Sequence, residues 1–256
     1  MTRFESAGPL GIITIAHPPL NLFDDELSTA LDAALAEAER AAPRALLVRA
    51  EGKVVSGGVD VGKVFDGIDG ARGAQLWERL LALTHRVEDL PMPTIFAAHG
   101  LTLTAAFEIS LACDLLLAAE SARFGLVERV VGLTPSMGGT QRLVERAGPA
   151  RAKELVFTGE LFGAATLERW NVVNRVLADD HFTDAARAFA LGIAEGPTLA
   201  HAATKRIVTA AVRGSARAAD AIVPEVSGAL FDSEDLRGAV HSFLTDGPGK
   251  ASFQGR

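Results

Sequence analysis

Glu108 and Glu128 stand in apolar surroundings that surface carboxylates rarely share. Glu108 lies early in a segment that reads as a helix, directly after His99-Gly100-Leu101-Thr102-Leu103-Thr104-Ala105-Ala106-Phe107. Glu128 follows Phe124-Gly125-Leu126-Val127 in what reads as a turn. If both segments pack inward, each carboxyl loses solvation, its pKa rises, and it can exchange a proton near neutral pH. Two such groups facing one cavity are suited to moving the proton and the hydroxyl of a water molecule separately. Taken singly, each also reads as a solvated helix-end charge, since structural carboxylates have perturbed pKa values too.

Two turns add to the pair. Ser56-Gly57-Gly58-Val59-Asp60 follows a short buried strand, and Leu103-Thr104-Ala105 opens the helix that carries Glu108. Backbone N–H groups at a tight turn and at a helix N-terminus are free donors aimed at an anion. Two of them converging on one carbonyl oxygen would stabilise an enolate, and losing one donor from such a hole costs about 3–4 kcal/mol.

Other motifs are weaker. Gly57 to Lys63 has the spacing of a phosphate-binding loop, but Val64 stands where a magnesium-binding Ser or Thr is needed. Ser136 is no nucleophile elbow, because Thr134 occupies the first glycine position; it reads instead as the cap of the helix carrying Gln141 and Arg142. The histidines show no metal-ligand spacing, and no metal site is expected.

The elements that must position these groups alternate. Leu10 to Ala16 reads as a strand ending at His17-Pro18-Pro19. Leu27, Ala30, Leu31, Ala34 and Leu35 recur at helical spacing, Ala45 to Val48 is a short buried strand, and Leu76, Leu80, Leu83 and Val87 mark another helix closed by Pro91 and Pro93. Strand Thr94–Ala98, helix Thr104–Ala112 and strand Leu115–Ala118 follow. Past Asn174-Arg175-Val176 the chain becomes rich in Ala, Arg and Leu with helical periodicity, enough for three or four helices to about Leu244. The fold class is α/β with a helical C-terminal section. Val223, Val226 and Leu230, then Val240, Phe243 and Leu244, give that section apolar faces, directed to a partner subunit or to the chain's own core.

The bulk numbers fit. A chain of 256 residues with 48% apolar and 22% charged residues buries a substantial core without staples. A formal charge of −7 argues against a non-specific nucleic-acid binder. The lone Cys113 reads as a small buried thiol. The start, Met1-Thr2-Arg3-Phe4-Glu5, lacks the apolar stretch of a signal peptide, and no apolar run reaches the length of a membrane span. The expected location is the cytoplasm, with no membrane partner.

Along nearly its whole length the chain resembles the enoyl-CoA hydratase/isomerase (crotonase) family. Pro18-Pro19-Leu20-Asn21 resembles the opening Pro–Asn segment, Ser56 to Val61 the first oxyanion loop, and Glu108 to Asp114 the helix with its Cys-Asp. Phe124-Gly125, Glu128 and Gly132-Leu133-Thr134-Pro135-Ser136-Met137-Gly138-Gly139-Thr140-Gln141-Arg142-Leu143 resemble its most specific signature. Ser233-Glu234-Asp235 and Lys250-Ala251-Ser252-Phe253 resemble its C-terminal helix and tail. The resemblance implies a crotonase-like ββα spiral over residues 1–195 and a helical trimerisation region over 196–256, with a homotrimer or a dimer of trimers. It implies an acyl-CoA thioester as substrate, coenzyme A being part of the substrate and no cofactor being needed. The two oxyanion-hole donors fall on the backbone N–H of Val59 and Ala105, and the catalytic carboxylates on Glu108 and Glu128. Substrate-binding positions fall on Ser56, Gly57, Gly58, Asp60, Thr104, Gly132 and Lys250. With both carboxylates present, the implied reaction is hydration of a trans-2-enoyl-CoA, with double-bond isomerisation the runner-up and a non-catalytic acyl-CoA-binding protein a third reading.

The chain departs from the family where glycines usually precede the first glutamate. Thr104-Ala105-Ala106 adds Cβ atoms there, Val59 replaces the usual alanine, and His99 stands where asparagine is common. The added Cβ atoms and Val59 are expected to narrow the acyl pocket or shift the donors, and His99 to play a structural part at the turn. Lys53, Lys63, Lys205 and a neighbouring subunit's Lys250 are candidate cations for the phosphates of coenzyme A.

Overall fold

A computed structural model describes residues 1–256. Its organising feature is a repeated strand–short strand–helix turn that stacks successive units into a spiral. The hairpin β1 (Arg3–Ala7) and β2 (Leu10–Ile15) opens the chain, followed by α1 (Asp25–Ala41). Next come β3 (Ala45–Ala50), the single turn α2 (Val61–Val64) and α3 (Gly70–Asp89). The third unit is β4 (Thr94–Ala98), β5 (Leu101–Leu103) and α4 (Ala105–Ala112). The fourth is β6 (Leu115–Ala119), β7 (Arg123–Gly125), a 3-10 turn at Glu128–Val131, and α5 (Gly139–Thr158), which breaks at Gly148-Pro149. Then follow β8 (Phe162–Gly163), α6 (Ala164–Arg169), β9 (Arg175–Leu177) and α7 (Phe182–Ala194). The chain ends in α8 (Thr198–Arg213), α9 (Ala216–Gly228) and α10 (Glu234–Asp246).

One six-stranded sheet runs β1-β2-β3-β4-β6-β9, parallel except for the β1–β2 hairpin, and a three-stranded sheet runs β5-β7-β8. The long strands are continuous apolar runs because both faces of a parallel sheet are covered; β2 and β4 are buried throughout. The short strands are what build the site. Isolated bridges pair Phe23 with Val59 and Ser56 with Thr102, while β5 pairs with β7. The loop after β3, the start of α4 and the segment entering Glu128 are thereby fastened to one another.

α4 is buried on every side, with no polar face, as befits a helix enclosed by the spiral. Phe107 on it packs against Phe124 of β7 at 5.2 Å between ring centroids. Cys113 is buried, and apolar surroundings push its thiol up to about 12. Four helices, α7 to α10, follow Asn174, as the periodicity anticipates. Val226 is buried on α9 within the C-terminal section, whereas Val240, Phe243 and Leu244 stay exposed. No helix is long and apolar enough to cross a membrane.

Candidate active site

The first turn is held from below by Asn21. Its side-chain N–H groups donate to the carbonyls of Glu51, Val54 and Val55, and its Oδ1 accepts from the N–H of His17 at 2.6 Å. Ser56, fully buried, donates from Oγ to the Asn21 carbonyl at 2.6 Å and accepts from Gly58 N–H at 3.0 Å. Gly57 N–H donates to Leu20 O and Asp60 N–H to Phe23 O. In the bridge to Phe23, the flanking Gly58 carbonyl and Asp60 N–H do the pairing. The N–H of Val59 therefore points to the opposite side and has no acceptor in the turn.

The second turn meets the first. Gly58, at φ +109, leaves so little room that an added Cβ would lie 3.0 Å from Thr104 Oγ1. Thr104 itself is at φ 45, ψ −118, a region that glycine occupies freely and a β-branched residue does not. Its N–H donates to Gly125 O at 3.0 Å, and its buried hydroxyl has no hydrogen-bond partner. Ala105 is the first residue of α4, where an N–H has no acceptor within the helix. The turns of Val59 and Ala105 are thus side by side, with the Thr104 side chain packed between them.

Glu108 follows on the first turn of α4, 2% exposed. Its Oε2 accepts the N–H groups of Met137 and Gly139, each at 2.8 Å. Gly139 is required for that approach, since a Cβ there would lie 2.6 Å from Glu108 Cγ. Burial pushes the Glu108 carboxyl up to about 7, against the two backbone donors and the charge of Arg142, which pull it down. Glu128 opens the 3-10 turn. Burial and then the charge of Glu108 push its carboxyl up to about 8, and its buried Oε2 has no partner. The two carboxyls feel one another, so they titrate as a pair.

A cavity of about 840 Å³ is lined by Val61, Phe65, Ile68 and Trp77 from the stretch spanning α2 and α3, and by Val131 and Leu133 at the end of the 3-10 turn that Glu128 opens. Its lining starts with Val61 on one side and Val131 on the other, the segments that follow Val59 and Glu128 in the chain, and includes neither of those two residues.

The remaining expected positions divide. Gly57 and Gly58 form the turn beside Val59, Asp60 caps α2 by accepting from Lys63 N–H at 3.1 Å, and Gly132 ends the 3-10 turn in left-handed geometry. Ser56 is committed to holding its turn, with no face toward the cavity. Lys250 is exposed in a tail tied down by Arg44 and Asp235. Lys63 pairs with Asp24 at 2.7 Å and Lys205 with Asp114 at 2.9 Å, while Lys53 is exposed. His99 Nε2 donates to Gly52 O at 3.0 Å, a structural contact at the loop base. Ser136 does not cap the following helix: its hydroxyl donates to Thr134 O, and α5 starts at Gly138 without a side-chain cap. That segment instead turns its N–H groups to Glu108. Asn21 and Arg142 are the residues whose part in the site the sequence leaves silent, because Asn21 acts on backbone 30 or more positions away and Arg142 is anchored by a side chain 54 positions away.

Known proteins resemble this chain along most of its length. A "Probable enoyl-CoA hydratase" of Rhizobium meliloti (strain 1021) is 32% identical, covering 98% of this chain and 97% of that one. A carnitinyl-CoA dehydratase of Salmonella enteritidis PT4 is 34% identical over 79% of this chain and 78% of its own. The crystal structure of an enoyl-CoA hydratase subunit I from Geobacillus kaustophilus HTA426 superposes with a TM-score of 0.92 at 30% identity, covering 100% of this chain and 98% of that one. Residues 5–255 match the family described as enoyl-CoA hydratase/isomerase, and the chain belongs to that family.

Proposed function

We propose that the protein is an enoyl-CoA hydratase, adding water across the C2=C3 bond of a trans-2-enoyl-CoA to give a 3-hydroxyacyl-CoA. The observation that carries this reading is the coupled pair of raised carboxyls, Glu108 and Glu128, beside two unengaged N–H groups. The thioester oxygen accepts from Val59 and Ala105, and the acyl chain runs into the cavity below Trp77. Electron density drawn onto that oxygen makes C3 electrophilic and lets C2 take a proton.

The surroundings of the two carboxyls assign their parts. Glu108, holding two backbone donors, favours its charged form and takes a proton from water as the hydroxyl adds to C3. Glu128 has no such donors and feels the Glu108 charge, so it keeps its proton and delivers it to C2. The substrate gains one hydroxyl and one proton, and a proton passes back from Glu108 to Glu128 to reset the pair. A double-bond isomerase shuttles one proton between two carbons of the same substrate, for which a single carboxyl suffices; the retained pair favours hydration.

The test is the fall in enoyl thioester absorbance when the protein meets crotonyl-CoA or longer 2-enoyl-CoAs. Glu128→Gln is expected to lower turnover by about 10²–10⁴-fold. Binding of these thioesters without hydration, or conversion of a 3-enoyl-CoA alone, would sink the reading.

A further inference from the structure

The donors on Glu108 are themselves held by something. Gly138 C=O and Gly139 N–H belong to one planar peptide unit, whose two polar ends point in opposite directions. At one end the N–H donates to Glu108 Oε2 at 2.8 Å. At the other, the carbonyl accepts from the Arg142 guanidinium at 3.1 Å. Arg142 is 7% exposed, and its second arm donates to Glu88 Oε2 of α3 at 2.8 Å. Gly138, at φ +92, has no room for a Cβ because the guanidinium occupies that space. The cation therefore lies against the very peptide that binds the carboxylate. A charged donor at the carbonyl polarises the amide and strengthens its N–H as a donor.

We propose that Arg142, clamped by Glu88, is a positioning residue for Glu108: it fixes and polarises the Gly138–Gly139 peptide and so holds Glu108 in its charged form. The inference rests on the reading of Glu108 as the group that activates water. The other charged groups around α4 are few. Glu128 faces Glu108 from the 3-10 turn and opposes its ionisation. Arg146, one turn further on α5, is taken up by the carbonyls of Leu111, Cys113 and Val172. Glu145 and, from α3, His85 and Glu88 line the cleft on the far side of Arg142. β5 and β6 bring no titratable side chain. Arg213 of α8 reaches Glu88 at 3.0 Å but is half exposed, and it makes a control at the outer end of the chain.

The experiment is a carboxyl ¹³C NMR titration of protein labelled at glutamate, with the Glu108 signal identified by its loss in Glu108→Gln. It needs no substrate. In Arg142→Met the midpoint of Glu108 is expected to rise by at least about 0.5 in pH, and Arg142→Lys to recover most of that rise. Because Arg142→Met leaves Glu88 paired with Arg213 alone and could unfold the region, the double variant Arg142→Met/Glu88→Gln carries the same expectation in a neutral setting. A midpoint unchanged in the folded double variant would overturn the proposal, as would an equal rise in Arg213→Ala. The acid limb of kcat for crotonyl-CoA hydration should move upward in step. If the NMR midpoint moves but wild-type protein hydrates nothing, the positioning of Glu108 stands and the hydratase reading falls.

Discussion

At the scale of single residues, the site is a place where burial works against charge. Glu108 and Glu128 ordinarily titrate near 4.5, and in the fold they are held up to about 7 and about 8. Between about pH 4.5 and 8 the folded chain therefore holds more protons than the unfolded one. Stability must fall as pH rises through that window, being fully present below the unfolded value and lost above the folded one. A neutral isostere removes the cost. Glu128→Gln is expected to match wild type in unfolding free energy, measured by urea titration, at pH 4 and to exceed it at pH 8.5, by on the order of 2–5 kcal/mol. An equal difference at both pH values would show that packing, not ionisation, separates the two proteins. Thr104 is a second residue under tension, held by its neighbours in a backbone region that favours glycine. Its strain lies between the two turns whose spacing the chemistry requires.

At the scale of elements, legibility follows length. β2, β3, β4 and β6 are apolar runs of five or six residues bounded by turn formers, and they were readable within two residues of their ends. β5, β7, β8 and β9 are two or three residues long, too short for any period, yet β5 and β7 fasten the turns together. The glutamates and the two donor turns were visible because their types and spacing carry information locally. The clasp of Glu108 by Met137 and Gly139 was not, since nothing in Ser136-Met137-Gly138-Gly139 says that its N–H groups meet a carboxylate 29 and 31 positions earlier. The same segment misled the reading of Ser136, whose type suits a cap that the backbone at Gly138 does not need. α3 offers a test of the cavity. Gly73 lies in its helical interior and lines the cavity, and a Cβ there meets nothing within 4 Å. Gly73→Leu should stabilise the helix by roughly 0.5–1 kcal/mol and partly fill the space. The expected result is a higher melting temperature with kcat/KM for a ten-carbon enoyl-CoA reduced by about tenfold, and crotonyl-CoA little affected. Equal losses for both chain lengths would place the acyl chain elsewhere.

At the scale of the whole molecule, several apolar side chains are left uncovered, and two groups of them bear on the site. One is on α10, where Val240, Phe243 and Leu244 are 50%, 61% and 77% exposed. The other surrounds the 3-10 turn of Glu128, where Val130, Phe157 and Leu161 are 77%, 70% and 50% exposed, and where Arg129 fastens the turn to Thr158 O. Patches of this kind mark surfaces that pack against another chain. A closed ring of three requires two different surfaces on each copy, one fitting the other around the axis. If α10 of one copy covers the apolar rim of the next copy's 3-10 turn, assembly completes the shielding of Glu128. Sedimentation should then give three times the 26.8 kDa of one chain, or a multiple of it. Phe243→Glu/Leu244→Glu is expected to yield a monomer whose amides at residues 128–133 exchange hydrogen faster, because that turn has lost its cover. A monomer with unchanged exchange there would show that α10 docks on some other surface. A wild-type monomer would remove the partner altogether and leave both patches to other duties.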